Sequence, residues 1–351
     1  MRTEKGDFYP PWPLSASLVG VDRVFILGAG FSRAIHQDMP LLHELGAGVR
    51  STLRSRNISV GSDLDALDNV EHWLSLLAEP APWLDSSEQM RNSALFVDVS
   101  RAIHEVLTAM QIKASIVSPP AWLFPLVKYW HRTQSTVITF NYDCLVELAY
   151  MDAVVPEFGS HTAQSSDPLA IPVTPAALRV AAVVGGNGSQ TFKLLKLHGS
   201  VDWWYSGVRS EPSDPIYRMG WIGDFKRGII PFYGNWHTLI ADKVPMLIPP
   251  AATKAPFYQN RLLAAQWVQA GEALRQAAEL VLIGYSAPLT DLTVTTLVTT
   301  QFSGDVIVPI NPDPGVLKRS QQLGSRSAPP TVIDSFIGDD AIARWVATFA
   351  A

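Results

Sequence analysis

The feature that most constrains the fold is a series of short apolar runs, each followed by glycine or polar residues and separated by helical patterns. Such runs stand at residues 22–28, 136–140, 280–285 and 305–310, and residues 192–198 alternate enough to form another strand. Continuous apolar strands that alternate with helices predict a mainly parallel sheet. We therefore expect an α/β fold with helices on both faces of the sheet.

Three segments between these elements are too long to be simple connections. Residues 60–130 carry apolar residues at helical spacing and predict a mainly helical insertion. Residues 152–190 and 203–257 are rich in proline, glycine, serine or tryptophan, and we expect them to be irregular insertions. Residues 1–20 are expected to form an N-terminal arm, and residues 21–351 a single domain.

Composition excludes several classes of protein. The chain is 47% hydrophobic and 17% charged, which is typical of a folded globular protein. Its net charge of −5 gives no general attraction to nucleic acid or anionic lipid. The N-terminus lacks a secretory signal, and no apolar stretch reaches the ~18 residues of a membrane span, so we expect a cytoplasmic protein.

The single cysteine, Cys144, restricts the possible metal and redox chemistry. It excludes an internal disulfide framework and any structural zinc site built on two or more cysteines. No histidine and acidic residues stand at the spacing of a zinc motif such as H-E-x-x-H. We therefore expect no bound metal and no zinc ribbon.

A glycine-rich loop follows the first strand. Residues 28–32 read Gly-Ala-Gly-Phe-Ser, and a helix is expected from Ser32, which is a good N-cap. Such a loop lets backbone N–H groups approach a phosphate closely, although Arg33 breaks the full G-x-G-x-x-G pattern and a plain tight turn is the alternative. The candidate phosphate-binding residues are Gly28, Ala29, Gly30, Phe31, Ser32 and Arg33, the last of which would otherwise form a surface salt bridge.

Polar side chains also follow the second and third strands. Asn141 has an amide that can donate and accept at a ligand, whereas Asp143 is either a functional residue or a helix cap. His198 precedes a glycine, and histidine is the natural proton acceptor near neutral pH. Ligands bind beyond the carboxyl ends of the strands in Rossmann-like sheets, so we expect these residues at one site.

Two later strands end in similar turns. Gly284 and Ser286 follow one strand, with Asp291 shortly after, and Asn311 follows the next. These residues are candidates for binding a phosphate, a ribose hydroxyl or an adenine edge, and ordinary turn chemistry is the alternative. Pro288 breaks the G-x-S-x-G pattern, so no nucleophile elbow is predicted.

Taken in chain order, these motifs resemble those of the sirtuin-like superfamily, especially its bacterial NAD-hydrolase branch. The matching segments are Gly-Ala-Gly-Phe-Ser at 28–32, Thr-Phe-Asn-Tyr-Asp at 139–143, Lys-Leu-His-Gly-Ser-Val-Asp-Trp at 196–203, Gly-Tyr-Ser at 284–286 and Ile-Asn at 310–311. The resemblance implies a sirtuin-like NAD-binding catalytic domain over residues 21–351.

The resemblance also implies a function. NAD would be the substrate of a glycohydrolase that cleaves the nicotinamide–ribose bond, with Asn141, His198 and Asp143 catalytic and no metal. Such proteins serve in antiphage defence by depleting NAD, and a homo-oligomer and a partner ATPase or other defence protein are implied by analogy. An NAD or ADP-ribose sensor without hydrolase activity is the alternative, and a protein deacylase is a further one.

Two departures from the deacetylating sirtuins favour the hydrolase. Those enzymes carry a four-cysteine zinc ribbon, whereas this chain has one cysteine. They also carry Asp-Phe-Arg after the loop proline, whereas Pro40 is followed here by Leu41. Nicotinamide leaves as a neutral ring, so no general acid is needed, and the expected requirements are a placed water and stabilisation of a ribosyl cation.

Overall fold

The computed structural model describes most of the chain. The described residues are 22–61, 70–78, 81–158, 168–169, 191–207, 210–232, 240–248, 257–288, 291–323 and 329–349. The expected N-terminal arm and most of the expected insertion at 152–190 lie outside them.

The strands are numbered in chain order over the described residues. They are β1 (Arg23–Leu27), β2 (Thr136–Thr139), β3 (Lys193–Lys196), β4 (Gly199–Tyr205), β5 (Tyr217–Arg218), β6 (Gly220–Asp224), β7 (Gly228–Phe232), β8 (Val244–Leu247), β9 (Glu279–Ile283), β10 (Val306–Ile310) and β11 (Thr331–Val332).

The α-helices follow the same numbering. They are α1 (Ala29–Ile35), α2 (Leu42–Ser55), α3 (Val70–Ala78), α4 (Ser86–Ile116), α5 (Leu123–Thr133), α6 (Leu145–Ala153), α7 (Arg261–Gln276), α8 (Leu292–Gln301), α9 (Gly315–Gln321) and α10 (Ala341–Ala347), and short 3-10 turns lie at Val155–Phe158 and Phe257–Gln259. None of the described helices combines the length and apolar composition needed to cross a membrane.

Six strands form one parallel sheet in the order β3-β2-β1-β9-β10-β11. The chain builds outward from β1 through β2 to β3, then returns to the other side of β1 and builds outward from β9. This is the doubly wound order, whose switch point lies between β1 and β9. The expected mainly parallel, Rossmann-like sheet is therefore confirmed.

Helices cover both faces of this sheet, as β1 shows most clearly. Val24 and Ile26 belong to one apolar core, which also contains side chains of α7 and α8. Phe25 and Leu27 point the other way, into a larger core built with α1, α5 and α10. Successive strand residues face opposite sides of the sheet, and both sides are covered. All four side chains are therefore buried, which explains why this part of the sequence is continuously apolar.

The structure differs from the sequence-based expectation at the start of α1. The helix begins at Ala29 with Gly28 as its N-cap, so Ser32 lies inside the helix and does not cap it. The Ser32 hydroxyl instead donates a 2.6 Å hydrogen bond to Asp143 Oδ2. A serine caps a helix only when its side chain accepts a hydrogen bond from a nearby backbone N–H. Here the hydroxyl of Ser32 is bonded instead to a carboxylate that is far away along the chain.

The expected insertions also contain regular structure. Residues 60–130 are helical where described, as expected, and contribute α3, α4 and most of α5. Residues 203–257 were expected to be irregular, yet their described part contains the end of β4 and the strands β5 to β8. These strands are two to seven residues long and antiparallel, so each offers too little alternation to be recognised in the sequence.

We predict that Gly284→Ala destabilises the fold through a steric clash between two loops. Gly284 has φ +60°, and a Cβ there would lie 2.1 Å from the Phe31 nitrogen. Gly61→Ala is the matched control, because Gly61 has φ +79° and an added Cβ there would meet no described atom within 4 Å. The control should lose about 1–2 kcal/mol for its backbone conformation, and Gly284→Ala about 1–3 kcal/mol more. Equal losses in urea unfolding would contradict the clash.

Candidate functional site

The loop after β1 and the turn after β9 touch along their backbones at the switch point. Gly28 N–H donates to Ile283 O at 3.2 Å, and Gly30 N–H donates to Gly284 O at 3.0 Å. These two N–H groups therefore join the loops to each other instead of presenting themselves to a ligand. Phe31 N–H likewise donates within the loop, to Gly28 O at 2.9 Å. The expected phosphate-binding role of the loop stays a prediction, and the N–H groups of Gly28, Gly30 and Phe31 could contribute to it only by leaving these bonds.

Asn141 links the ends of β1 and β2. Its Nδ2 donates to Gly28 O and to Ser32 Oγ, both at 2.9 Å. Ser32 Oγ in turn donates to Asp143 Oδ2 at 2.6 Å, and the other carboxylate oxygen accepts from Leu145 N–H at 3.1 Å. Asp143 thus accepts from the first residue of α6, whose N-cap is Cys144, and its functional role stays a prediction.

The amide of Asn141 is oriented by these bonds. Both of its hydrogens are donated, so its oxygen Oδ1 is the polar atom that it can offer to a ligand. Asn141 is partly exposed, whereas Ser32, Asp143 and His198 are buried. The asparagine therefore meets an incoming molecule as a hydrogen-bond acceptor.

His198 lies in the tight turn between β3 and β4. Gly199 follows with φ +79°, and a Cβ at that position would lie 2.0 Å from Met246 O on β8. The close approach of β8 continues at Ile248, whose N–H donates to His198 O at 2.9 Å. The glycine is thus required by packing, and the chain at the end of β8 holds the backbone of the histidine through its carbonyl.

Aromatic rings surround the imidazole of His198. The ring centroid of Phe140 lies 4.8 Å away, that of Tyr142 6.4 Å and that of Trp267 6.5 Å. The side chain is only 2% exposed. Packing of this kind restricts rotation of the imidazole, so its two nitrogens face defined directions.

Asp291 lies beside His198, which the sequence did not indicate. Its Oδ2 is 3.6 Å from His198 Nε2, and both side chains are almost fully buried. The aspartate was visible only as an acidic residue shortly after Ser286. The available sequence signal was an aspartate at a helix-capping position, three residues before Val294. That signal does not predict a contact with the histidine.

The turns after β9 and β10 are joined to each other. Asn311 Nδ2 donates to Tyr285 O at 3.3 Å, and its Oδ1 accepts from Asp313 N–H at 3.0 Å. Arg319, which the sequence analysis missed, donates from Nε to Ser286 O and pairs with Asp313, both at 2.6 Å. Ser286 and Asn311 thus both lie at the edge of the sheet formed by the carboxyl ends of the strands, after β9 and β10.

Arg33 points away from this edge. Its guanidinium makes a bidentate pair with Glu44 at 2.8 and 2.9 Å and also donates to Met39 O. A bond from Leu41 N–H and the pair with Arg33 hold the pKa of Glu44 below its ordinary value. The salt-bridge alternative is the one seen in the structure, and a phosphate contact would require Arg33 to leave Glu44.

A buried ion pair supports the turn that carries Asp143. Lys196 Nζ lies 2.9 Å from Glu147 Oε1 and donates to Asp143 O at 2.6 Å, and the lysine side chain is 1% exposed. Burial acts to lower the pKa of Lys196, but Glu147, Cys144 and Asp202 together outweigh it and hold that pKa above its ordinary value. The lysine is therefore charged and ties β3 to the start of α6.

Among the described residues, no group of three or more histidine, cysteine, aspartate and glutamate side chains is arranged to hold a metal ion. Cys144 is buried next to the site, and burial raises the pKa of its thiol well above the ordinary value. A neutral, enclosed thiol is a poor nucleophile. The chemistry available at this edge is therefore that of an amide, carboxylates and an imidazole.

No model of a protein family matches the sequence, and no curated protein sequence matches it either. Solved structures with a similar fold include a Sir2 homologue in complex with NAD, at 15% identity and a TM-score of 0.43, over 94% of this chain and 91% of the other. A structure concerned with the mechanism and regulation of Sir2 enzymes has 12% identity and a TM-score of 0.40, over 93% and 91%. Sir2Tm bound to a propionylated peptide has 14% identity and a TM-score of 0.39, over 94% of each chain.

We predict that Lys196→Met destabilises the protein, because it leaves the carboxylate of Glu147 buried without its partner. Breaking a buried ion pair in this way costs about 3–5 kcal/mol. Lys193→Met is the matched control on the same strand, since Lys193 is exposed and its loss should change stability by less than about 0.5 kcal/mol. The double variant Lys196→Met with Glu147→Leu should recover part of the loss in urea unfolding. Equal stability of the two single variants would contradict a structural role for the pair.

Proposed function

We propose that this protein is an NAD+ glycohydrolase that cleaves the bond between nicotinamide and ribose. The observation that carries the proposal is the hydrogen-bonded set Asn141, Ser32 and Asp143 at the carboxyl ends of β1 and β2, beside the switch point, with His198 following the adjacent strand β3. A dinucleotide binds across such a switch point in doubly wound sheets. The sequence motifs at these same turns resemble the sirtuin-like NAD hydrolases.

In this proposal each site residue has a separate task. Asn141 Oδ1 accepts a hydrogen bond from the attacking water and sets its direction towards C1′ of the ribose. The carboxylate of Asp143 stabilises positive charge that develops on the ribose as the C1′–N bond breaks. His198 accepts a proton from the water. Nicotinamide leaves with the bonding electron pair as a neutral ring, so no acid is required.

The nucleotide would lie along the other turns of the same edge. The loop from Ala29 to Ser32 would meet the pyrophosphate, and Ser286 and Asn311 would meet the adenosine half of NAD. Arg319 already bonds the Ser286 carbonyl, so it would hold that turn in shape. In this arrangement the turns supply most of the affinity for NAD, and Asn141 and His198 carry out most of the cleavage chemistry.

The direct test is to incubate the purified protein with NAD and to measure nicotinamide and ADP-ribose, with and without an acetylated peptide. Release of both products without peptide supports the hydrolase. Release of nicotinamide only in the presence of peptide, with transfer of the acetyl group, would instead identify a deacylase. NAD binding without turnover, together with unchanged NAD levels in cells that express the protein, would identify a sensor.

We predict that His198→Ala abolishes NAD cleavage while the protein stays folded. The imidazole is the proton acceptor of the proposed step, and such a group contributes about 10²–10⁴-fold to rate. His72→Ala is the matched control, because His72 is exposed on α3. The control should cleave NAD at the normal rate in the same assay. Undiminished cleavage by His198→Ala would overturn the role of the histidine.

We predict that Asn141→Ala loses about 10²–10³-fold in cleavage rate, comparable to the loss of one hydrogen bond made in the transition state. Nucleotide binding, measured by calorimetry, should be largely retained, because the turns at Ser286 and Asn311 supply it. A variant that no longer binds NAD would show that Asn141 acts mainly by shaping the loop at Gly28. A variant that cleaves normally would exclude the proposed mechanism.

We further propose that the protein is the effector of an antiphage defence system that depletes NAD, acting as a homo-oligomer or with a partner such as an ATPase. The support is the resemblance of the motifs to that branch of the superfamily. Bacteria that carry the gene and its neighbours should form fewer phage plaques, and their NAD should fall after infection. The same cells with His198→Ala should show neither effect.

A further inference from the structure

Asp291 is held rigidly at the start of α8. Its Oδ1 accepts from Val294 N–H at 3.2 Å, as expected of an N-cap. Its backbone is bonded on both sides, with the N–H donating to Pro288 O at 3.2 Å and the carbonyl accepting from Thr295 N–H at 2.9 Å. The residue is 2% exposed. One carboxylate oxygen is therefore committed to the helix, and the direction of the other is set.

That second oxygen faces the imidazole of His198. Asp291 Oδ2 lies 3.6 Å from Nε2, across a contact between the turn after β3 and the start of α8. This distance is longer than that of a hydrogen bond, so the contact is electrostatic. The negative charge of the carboxylate favours the neutral imidazole tautomer that carries its proton on Nε2, facing Asp291. The lone pair of the imidazole then lies on Nδ1, on the other side of the ring.

Two tyrosines of the described residues also lie near Asp291. Tyr258 and Tyr285 both lie close enough to feel the charge of Asp291. Burial raises the pKa of each phenol above its ordinary value, and Asp291 raises it further in both cases. Both tyrosines are therefore neutral and add no charge beside Asp291.

We propose that Asp291 is a positioning residue that holds His198 as its Nε2–H tautomer, so that Nδ1 is the atom that accepts the proton. This inference rests on the proposed NAD cleavage. In that step a water proton moves to Nδ1, the water oxygen bonds to C1′, and the C1′–N bond breaks with its electron pair going to nicotinamide. Asp291 stabilises the imidazolium that results, and the proton is later released to solvent.

Asp291→Asn tests the charge separately from the helix cap. Asparagine caps a helix as well as aspartate does, so α8 should remain intact. Its amide can donate to Nε2, which would move the imidazole proton to Nδ1 and block the proposed base. We expect kcat for NAD cleavage to fall about 10²-fold, with KM changed far less.

The tautomer itself is measured by NMR on protein with ¹⁵N-labelled histidine, which needs no substrate. We expect Nε2–H for His198 in the wild-type protein and Nδ1–H in Asp291→Asn, with the signals assigned by their loss in His198→Gln. Asp85→Asn is the matched control, because Asp85 caps α4 by accepting from Glu88 N–H and is exposed. It should change neither the His198 signals nor kcat.

The outcomes separate this inference from the proposed function. An Nδ1–H tautomer in the wild-type protein, or an unchanged tautomer in Asp291→Asn, would overturn the role of Asp291 even if NAD is cleaved normally. A protein that shows the expected tautomers but cleaves no NAD would keep the pairing and overturn the proposed function. If Asp291→Asn does not fold, Asp291→Ser, which keeps a helix-capping side chain, replaces it in the same measurement.

Discussion

The backbone contact between the loop after β1 and the turn after β9 is the constraint on which the rest of the site depends. Gly30 N–H and Gly284 O are 3.0 Å apart, and a Cβ on Gly284 would overlap the Phe31 nitrogen. The two halves of the doubly wound sheet therefore meet without side chains between them. Asn141 can reach Gly28 O only because the loop after β1 is held in this position.

Pairs of buried charged or titratable side chains also fix the geometry of the site. Lys196 bridges Glu147 and the carbonyl of Asp143, and Asp291 faces His198. Removing charged groups from water is costly, so such pairs contribute less to stability than their distances suggest. Their effect is on geometry, because each charge restricts its partner to one arrangement. The lysine restricts the turn after β2, and Asp291 restricts the histidine after β3.

The general fold was predictable from local patterns. Continuous apolar runs indicated the parallel strands, and the polar residues after them indicated the edge at which the candidate site lies. The start of α1 was predicted wrongly, because Ser32 donates its hydroxyl to Asp143 instead of bonding the backbone. The strands β5 to β8 were missed, because they are only two to five residues long and because β8 pairs with β4, which precedes the β6–β7 hairpin in the chain.

The sequence by itself determined the elements of the sheet, their order and which turns carry polar side chains, since these follow from the periodicity of neighbouring residues. Only the tertiary structure decided how those side chains pair. Ser32 and Asp143 are 111 positions apart, and Arg33 could face a phosphate or Glu44 with the same local sequence. Asp291 shows no local sign of its contact with His198. Such contacts depend on the register of the strands and the packing of helices across space, which bring together residues that share no pattern along the chain.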